Sequence, residues 1–509
     1  MRVFVGLDIG TTSTKAVAFG VDGAVASVHS VPYPLICESP GYAEQDPGLI
    51  VEAAAEAVSR VTADVRLSHG EVAAVSLSSA MHSLLVVDDS GRPLTRLMTW
   101  ADNRSAEQAK RIAASGGLDI YKRTGTPIHA MSPLSKLFWL RENRPDLYEK
   151  AGKFVSIKEY LLYRLFGQFV IDHSLASATG LYRLGERDWD KELLRDAGIR
   201  RDQLSELHPV TCVMTGLNPG YAKRMGLSTD VPFVLGASDG VLANLGVGAI
   251  DPGDLAVTVG TSGAVRTVVD RPLTSDRQQT FCYVFDDRHW VIGGGTNNGG
   301  IVLDWVQTVL HSIQAPDSGK SSLEGMLRQA ERIPPGAEGL LFLPYLSGER
   351  APIWNPNARG VFLGLNLTHS APHLARSAME GMMMSLLSVA LAMHDLTGLK
   401  NKVLASGGFA RSPFLLQLLS DVFGCEVEVP ACAEASAYGA AFLGMMALGE
   451  YGDIRDIKST INMRETYVPC LKHHQVYTEL YRIYEQAYAG LGETFEAITA
   501  LQHSLRGAG

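Results

Sequence analysis

The segment Asp8-Ile9-Gly10-Thr11-Thr12-Ser13-Thr14-Lys15 gathers a carboxylate, a glycine, four hydroxyl side chains and an amine into one short stretch. Hydroxyls and turn N–H groups can line a phosphate, and Asp8 can hold a hydrated Mg2+ beside it. An ordinary Gly-Thr hairpin is the alternative reading, but the pattern returns. Gly260-Thr261-Ser262-Gly263 again sits between two apolar runs, about half a chain later. A repeated turn of this kind suggests a duplicated phosphate-gripping fold that faces itself across a cleft. Between the two copies, Leu235-Gly-Ala-Ser-Asp239-Gly240 ends an apolar run in a lone carboxylate between small residues, which leaves room for a substrate. The same aspartate also suits a helix N-cap. Ser78-Ser79-Ala80-Met81-His82-Ser83 and Trp100-Ala-Asp102-Asn103-Arg104 bring donors, acceptors and an aromatic face together, as a polyhydroxylated ligand requires. Core packing with one satisfied hydrogen bond is the alternative for His82 and Trp100.

These residues need elements to position them. Val3–Leu7 is apolar without alternation, which predicts a strand covered on both faces, and Lys15–Phe19 predicts the returning strand. Gly20–Val31 reads as a third strand, turning at Asp22-Gly23. Asp46-Pro47 predicts a helix start, Asp46 as N-cap and Pro47 in the first position, running to about Ala63. Val72–Leu77 predicts a buried strand whose carboxyl end carries the Ser78–Ser83 cluster, where open α/β sheets bind ligands. Pro133 predicts the first turn of an amphipathic helix through Asn143, and Lys158 reads equally well as an exposed helix charge. Gly246–Gly253 marks a junction between domains 1–248 and 249–509. In the second half, Gly293–Gly300 reads as a glycine-rich turn leading into a helix, which suits close approach of a nucleotide. Ser406-Gly407-Gly408 places two glycines between a strand and a helix. Ala435–Leu448 and Tyr477–Leu505 read as helices forming scaffold and lid of the second domain.

The 509 residues exceed one core, so two large domains are expected. Hydrophobic content of 46% with 19% charged residues is that of a soluble globular protein. The net charge of −9 argues against broad nucleic-acid binding. The six cysteines lack C-x-x-C spacing and read as incidental thiols in a reducing compartment. Asp8 interrupts the first apolar run, so no signal peptide is expected, and the apolar stretch Gly381–Met393 is too short to span a bilayer. A cytoplasmic location follows as the expectation. No G-x-x-x-x-G-K-[ST] loop occurs, which excludes a P-loop enzyme.

The paired hairpins resemble those of the sugar kinase, hexokinase, actin and heat-shock chaperone superfamily, which implies an α/β fold of two RNase-H-like domains around a central cleft that holds ATP. Met131-Ser-Pro133-Leu-Ser-Lys136-Leu-Phe-Trp139-Leu-Arg-Glu-Asn143 matches a signature of the FGGY carbohydrate kinases at every constrained position. Gly360–Glu380 fits the second signature of that family, and Pro344–Trp354 is typical of it. By resemblance over essentially its whole length, the chain is identified as a member. The resemblance implies that Asp239 is the catalytic base, with Asp8 and Asp239 as the carboxylates for Mg2+. It implies ATP binding by Thr11, Thr12, Ser13, Lys15, Gly260, Thr261, Gly300, Asp304, Gly407, Gly408, Arg411 and Ser412. Ser406 departs from the aspartate of many relatives, which bears on ribose contacts.

The substrate branch rests on finer stretches. Ser79–Ser83, Thr99–Ser105, Lys122–His129 and Glu349–Pro356 together resemble the family members that phosphorylate gluconate; xylulose kinases usually carry glycine where this chain has Ser83. The implied substrate residues are Met81, His82, Ser83, Trp100, Asp102, Arg104, His129, Lys158 and Asp239. A sugar-acid carboxylate needs donors or a cation, and Arg104, Lys158, His82 and His129 are the candidates. The implied reaction is transfer of the ATP γ-phosphate to D-gluconate, giving 6-phospho-D-gluconate, with domain closure excluding water. The implied partners are a sugar acid and ATP, without nucleic acid or membrane, and a homodimer as the assembly. Alternatives are a pentulose kinase of the same family and an actin- or chaperone-like ATPase.

Overall fold

The structure, a computed structural model, describes residues 2–314 and 323–507. It divides into two compact units, one made of residues 1–251, 268–292 and 434–461, the other of 252–267, 293–433 and 462–509. The chain therefore crosses between the units several times rather than once near residue 248.

The first unit is built on a six-stranded sheet. Its strands are β1 (Arg2–Ile9), β2 (Ser13–Gly20), β3 (Val25–Pro32), β4 (Glu71–Ser79), β5 (Val213–Met214) and β6 (Phe233–Ser238), in the order β5-β6-β4-β1-β2-β3. β1 and β2 form the expected hairpin, with Asp8 opposite Lys15, and β1, β4 and β6 run parallel. Alternation decides what covers each face. Val3, Val5, Leu7 and Ile9 join one core cluster with Ile50, Val51, Ala54 and Val58 of helix α1 (Pro47–Leu67). Asp46 caps α1 through the Gly48 and Leu49 N–H groups as expected, and the helix continues to Leu67, past Ala63. Three further helices matter for the site: α2 (Pro133–Asn143), α3 (Ile157–Phe166) and α4 (Asp239–Val247).

The other face of β1 is covered by the helix Ala435–Ala447, which belongs to this unit and not to the second domain. Small residues dictate that contact. A Cβ on Gly6 would lie 1.8 Å from the Ala437 carbonyl oxygen, and one on Gly246 would lie 1.9 Å from that of Ala435. Only glycine lets the helix backbone rest on the strand and on α4 this closely. The scaffold reading of this helix holds, but its assignment to the second domain is corrected.

The second unit carries strands β7 (Leu255–Val259), β8 (Gly263–Val269), β9 (Val403–Gly407), β10 (Val427–Pro430) and β11 (Met463–Tyr467), consecutive in the sheet as β8-β7-β9-β10-β11. β7 and β8 repeat the hairpin, and β9 runs parallel to β7. Helices α5 (Gly300–Gln314), α6 (Leu323–Glu331), α7 (Ala371–Thr397), α8 (Pro413–Phe423), α9 (Leu471–Gly490) and α10 (Gly492–Gly507) complete it. Gly293–Gly295 lie inside the strand Trp290–Thr296, so the turn before α5 is only Asn297–Gly299, a correction to the longer glycine-rich turn expected. α7 has 27 residues, longer than the apolar stretch in the sequence suggests, and is long and apolar enough to cross a membrane. Yet 83% of its most apolar window is buried inside the protein, as befits a core helix. Six free thiols are present, Cys282 buried and Cys37 exposed.

Candidate active site

In the first unit the two key carboxylates stand at one edge of the sheet. Asp8 is opposite Ser78 on β4, and Ser238, the residue before Asp239, is opposite Ser79. β1 and β6 flank β4, so the strands that deliver the two carboxylates are two inter-strand spacings apart, about 9–10 Å. The Ser78 hydroxyl donates to Asp8 Oδ1 at 2.6 Å. Burial pushes the Asp8 carboxyl up, while Ser78 and Lys15 pull it down. A buried carboxylate with its charge only partly answered suits a hydrated divalent cation, and Asp8 and Asp239 are the residues that would hold one. Among the described residues, no group of three or more His, Cys, Asp or Glu gathers as a metal cluster.

Asp239 opens α4 directly after β6, where the helix macrodipole stabilises negative charge. Gly236 makes this placement possible. It adopts a left-handed φ of +63° at an irregularity in the β6–β4 pairing, and a Cβ there would lie 1.8 Å from the Leu77 carbonyl oxygen. Asp239 Oδ1 accepts from Gly240 N–H at 2.7 Å, and its main-chain oxygen accepts from Ser436 at 3.2 Å. Ser238, not Asp239, is the N-cap.

The Gly10–Ser13 turn of the first hairpin is fastened from outside. Trp100 Nε1 donates to Thr11 Oγ1 at 2.8 Å, Gln45 donates to the Thr11 carbonyl, and Tyr33 donates to the Gly10 carbonyl. Thr12 is exposed and Ser13 half-buried. Lys15 pairs with Glu434 at 2.5 Å, a partner remote in sequence that no local pattern announces.

The residues expected to meet the substrate divide into two groups. His82 is buried at a left-handed φ of 65°, its Nδ1 donating to the Ala178 carbonyl at 2.8 Å and its Nε2 3.4 Å from the Tyr283 hydroxyl. His129 is half-buried and its Nδ1 accepts from Met131 N–H, so the neutral ring carries its proton on Nε2. Met81 and Trp100 are also half-buried. The side chains of Ser83, Asp102, Arg104 and Lys158 are buried and bonded within the protein. Ser83 is buried and accepts from Ile157 N–H at the start of α3. Asp102 is fully buried, with both oxygens engaged by Arg104 and one also by Ala43 N–H. Arg104 adds a bond to Glu44 at 2.6 Å and stacks 3.6 Å over Tyr42. Lys158 is no exposed helix charge: it is buried, paired with Asp172 at 2.6 Å, and reaches the Ala237 carbonyl. Neither Arg104 nor Lys158 offers an unanswered charge to a sugar acid.

Lys136 was not singled out by sequence, although it sits in the Met131–Asn143 stretch. It is fully buried, and its Nζ donates to the carbonyls of His82 at 2.7 Å and Thr99 at 2.6 Å. Burial lowers it to about 7. One ammonium thus ties together the two loops that carry the substrate candidates.

The second unit holds a cavity of about 720 Å3, within the range of small-molecule sites. Seven of the twelve residues expected at the nucleotide, Gly260, Thr261, Gly300, Asp304, Gly408, Arg411 and Ser412, line it, whereas Thr11, Thr12, Ser13 and Lys15 belong to the first unit. Helix α6 supplies further lining through Leu327, Arg328 and Glu331, which sequence reasoning missed. Gly407 does not line it, and the Ser406 hydroxyl is turned to Thr258 at 3.0 Å.

The N-terminal domain model of the FGGY family of carbohydrate kinases matches residues 3–246, and the C-terminal domain model matches residues 255–448. The chain is 44% identical to a gluconokinase of Bacillus subtilis, covering 98% of each chain. Among solved structures it resembles a gluconate kinase from Lactobacillus acidophilus, with a TM-score of 0.93 and 36% identity over 98% of this chain and 99% of the other. A ligand-bound xylulose kinase from the same organism matches with the same TM-score and identity, over 98% of this chain and 100% of the other.

Proposed function

The chain belongs to the FGGY family of carbohydrate kinases, and from that premise we propose that it transfers the γ-phosphate of ATP to D-gluconate, giving 6-phospho-D-gluconate. The carrying observation is the 44% identity to a gluconokinase along 98% of both chains. In this reading the first unit binds the acceptor and supplies the base, and the second binds the nucleotide in the cavity beside Thr261 and Gly408.

Asp239 accepts the proton of the terminal hydroxyl as that oxygen attacks phosphorus. Trp100 and Gln45 hold the Thr11 turn so that Thr11, Thr12 and Ser13 line the phosphates. Lys15, paired with Glu434, is held beside the same turn. Asp8 and Asp239 would hold a hydrated Mg2+, which would supply charge neutralisation at the phosphates. His82 and His129 meet the acceptor with opposite tautomers, Nδ1 protonated in one and Nε2 in the other. A cytoplasmic homodimer is the proposed state, on family resemblance alone.

The test is ADP release with Mg2+-ATP over gluconate, xylulose, ribulose, glycerol and no acceptor. Turnover on gluconate alone is expected. Turnover on a pentulose would replace the substrate, a live outcome given the xylulose kinase likeness, and equal release without acceptor would make the protein an ATPase. In the same assay Asp239→Asn should lower turnover by about 10²–10⁴-fold with an unchanged melting temperature.

A further inference from the structure

Glu349 opens the Glu349–Pro356 stretch and has so far been given no role of its own, yet it is only 2% exposed and receives five hydrogen bonds. Its Oε1 accepts from the main-chain N–H groups of Asn297 at 2.7 Å and Arg350 at 2.8 Å. Its Oε2 accepts from Thr296 Oγ1 at 2.5 Å, Asn298 Nδ2 at 3.2 Å and Ser385 Oγ at 3.1 Å. A carboxylate is the one side chain that can accept from so many donors without offering any. An apolar residue there would strand them in the interior.

The donors are not scattered. Three of them come from Thr296–Asn298, the turn that delivers the chain into α5. Asn298 also donates to the Gly348 carbonyl at 2.8 Å and accepts from Ser347 N–H, so the turn and the Glu349 segment are laced together. The turn then rests on the second hairpin. A Cβ on Gly299 would lie 2.5 Å from the Ser262 carbonyl carbon, Gly300 N–H donates to the Gly260 carbonyl at 2.7 Å, and Ile301 N–H donates to the Thr261 carbonyl. Gly260, Thr261 and Gly300 are part of the cavity wall. A continuous chain of contacts therefore leads from one buried carboxylate to the place where phosphates are read.

We propose that Glu349 is the positioning residue of the nucleotide site, fixing the Asn297–Gly299 turn against the Gly260–Ser262 turn so that the phosphate-facing wall is preformed. This rests on the reading of the cavity as a nucleotide site. Glu349 acts through the turn and does not touch the nucleotide. Loss of its charge therefore loosens nucleotide binding and leaves acceptor binding alone.

Glu349→Gln is the sharp test, because it keeps the shape. With its oxygen retained at the two backbone N–H groups, its amide nitrogen faces Asn298 Nδ2, donor against donor. Calorimetric titration of Mg-ADP, with KM for ATP and for gluconate, compares wild type, Glu349→Gln and Ser385→Ala. The glutamine variant should weaken ADP binding and raise KM for ATP by about tenfold, with KM for gluconate held within about twofold. Ser385→Ala removes one bond to the same carboxylate and one to Thr296 Oγ1 but none to Asn297–Gly299, and should leave ADP affinity within about twofold of wild type. Unchanged ADP affinity in Glu349→Gln would overturn the proposal, as would an equal loss for both substrates. No ADP binding by the wild type would overturn the nucleotide reading itself, and this proposal with it. If Glu349→Gln does not fold, Asn298→Ala repeats the test from the turn: weakened ADP binding supports the proposal and unchanged binding overturns it.

Discussion

At the residue scale, charge in this protein follows burial. Arg104 and Lys158 are the cations that sequence offers to a sugar-acid carboxylate, and both are buried against carboxylates of the protein, at 2.7 Å from Asp102 and 2.6 Å from Asp172. A buried cation must be answered in the folded state, before any substrate arrives. Lys136 is the informative exception. Two carbonyls, not a carboxylate, receive its Nζ, and they belong to the loops of His82 and Thr99. Lys136→Met should therefore raise KM for the acceptor by about tenfold, through the loss of two buried bonds, with KM for ATP unchanged. The pH dependence of its stability is a second readout. Burial lowers Lys136 from 10.5 to about 7, so between those values the unfolded chain binds more protons than the folded one. Wild-type stability should then rise with pH across that window relative to Lys136→Met, as thermal melts at pH 7 and 10 can show; a parallel course for the two proteins would contradict the burial argument.

At the element scale, the two hairpins and the strand ends were legible because local chemistry dictates them. Apolar runs bounded by Gly-Thr turns gave β1–β2 and β7–β8, and Asp46-Pro47 gave the start of α1. Where Gly293–Gly295 misled, the cause was tertiary. These glycines sit in a strand, and a Cβ on Gly293 would lie 2.4 Å from the Val265 carbonyl oxygen. Glycine there answers a close approach, not a turn. The Ala435–Ala447 helix makes the same point from the other side, seated on Gly6 and Gly246. Gly6→Ala should destabilise the first unit by about 1–3 kcal/mol or more, since the new methyl meets backbone that can move only with the helix. Denaturant unfolding measures this, and a stability within about 0.5 kcal/mol of wild type would mean that the helix is free to shift.

At the scale of the whole molecule, the chain's route matters as much as its composition. Residues 434–461 return to complete the first unit. A fragment of residues 1–251 therefore lacks the helix that covers Phe4 and Gly6, and leaves an apolar sheet face bare. Such a fragment should bind a hydrophobic dye and melt without a cooperative transition, whereas a sharp melt would show the helix to be dispensable. The long helix α7 carries the same lesson. Its 27-residue length and composition together pass it as a membrane span, and its burial in the second unit is that of a core helix.

The sequence by itself determined the two-domain α/β fold, the paired Gly-Thr hairpins, the aspartate at the end of β6 and the family to which the chain belongs. Each is written in residues close together along the chain, where strand alternation, turn chemistry and capping act over a few positions. The structure alone decided which charges are already answered: Glu434 holds Lys15, Asp172 holds Lys158, and Glu349 gathers the turn before α5. Except for Asp172, these partners lie tens to hundreds of residues away from the groups they hold, and desolvation, which sets whether a buried charge must be paired, exists only once the chain has folded.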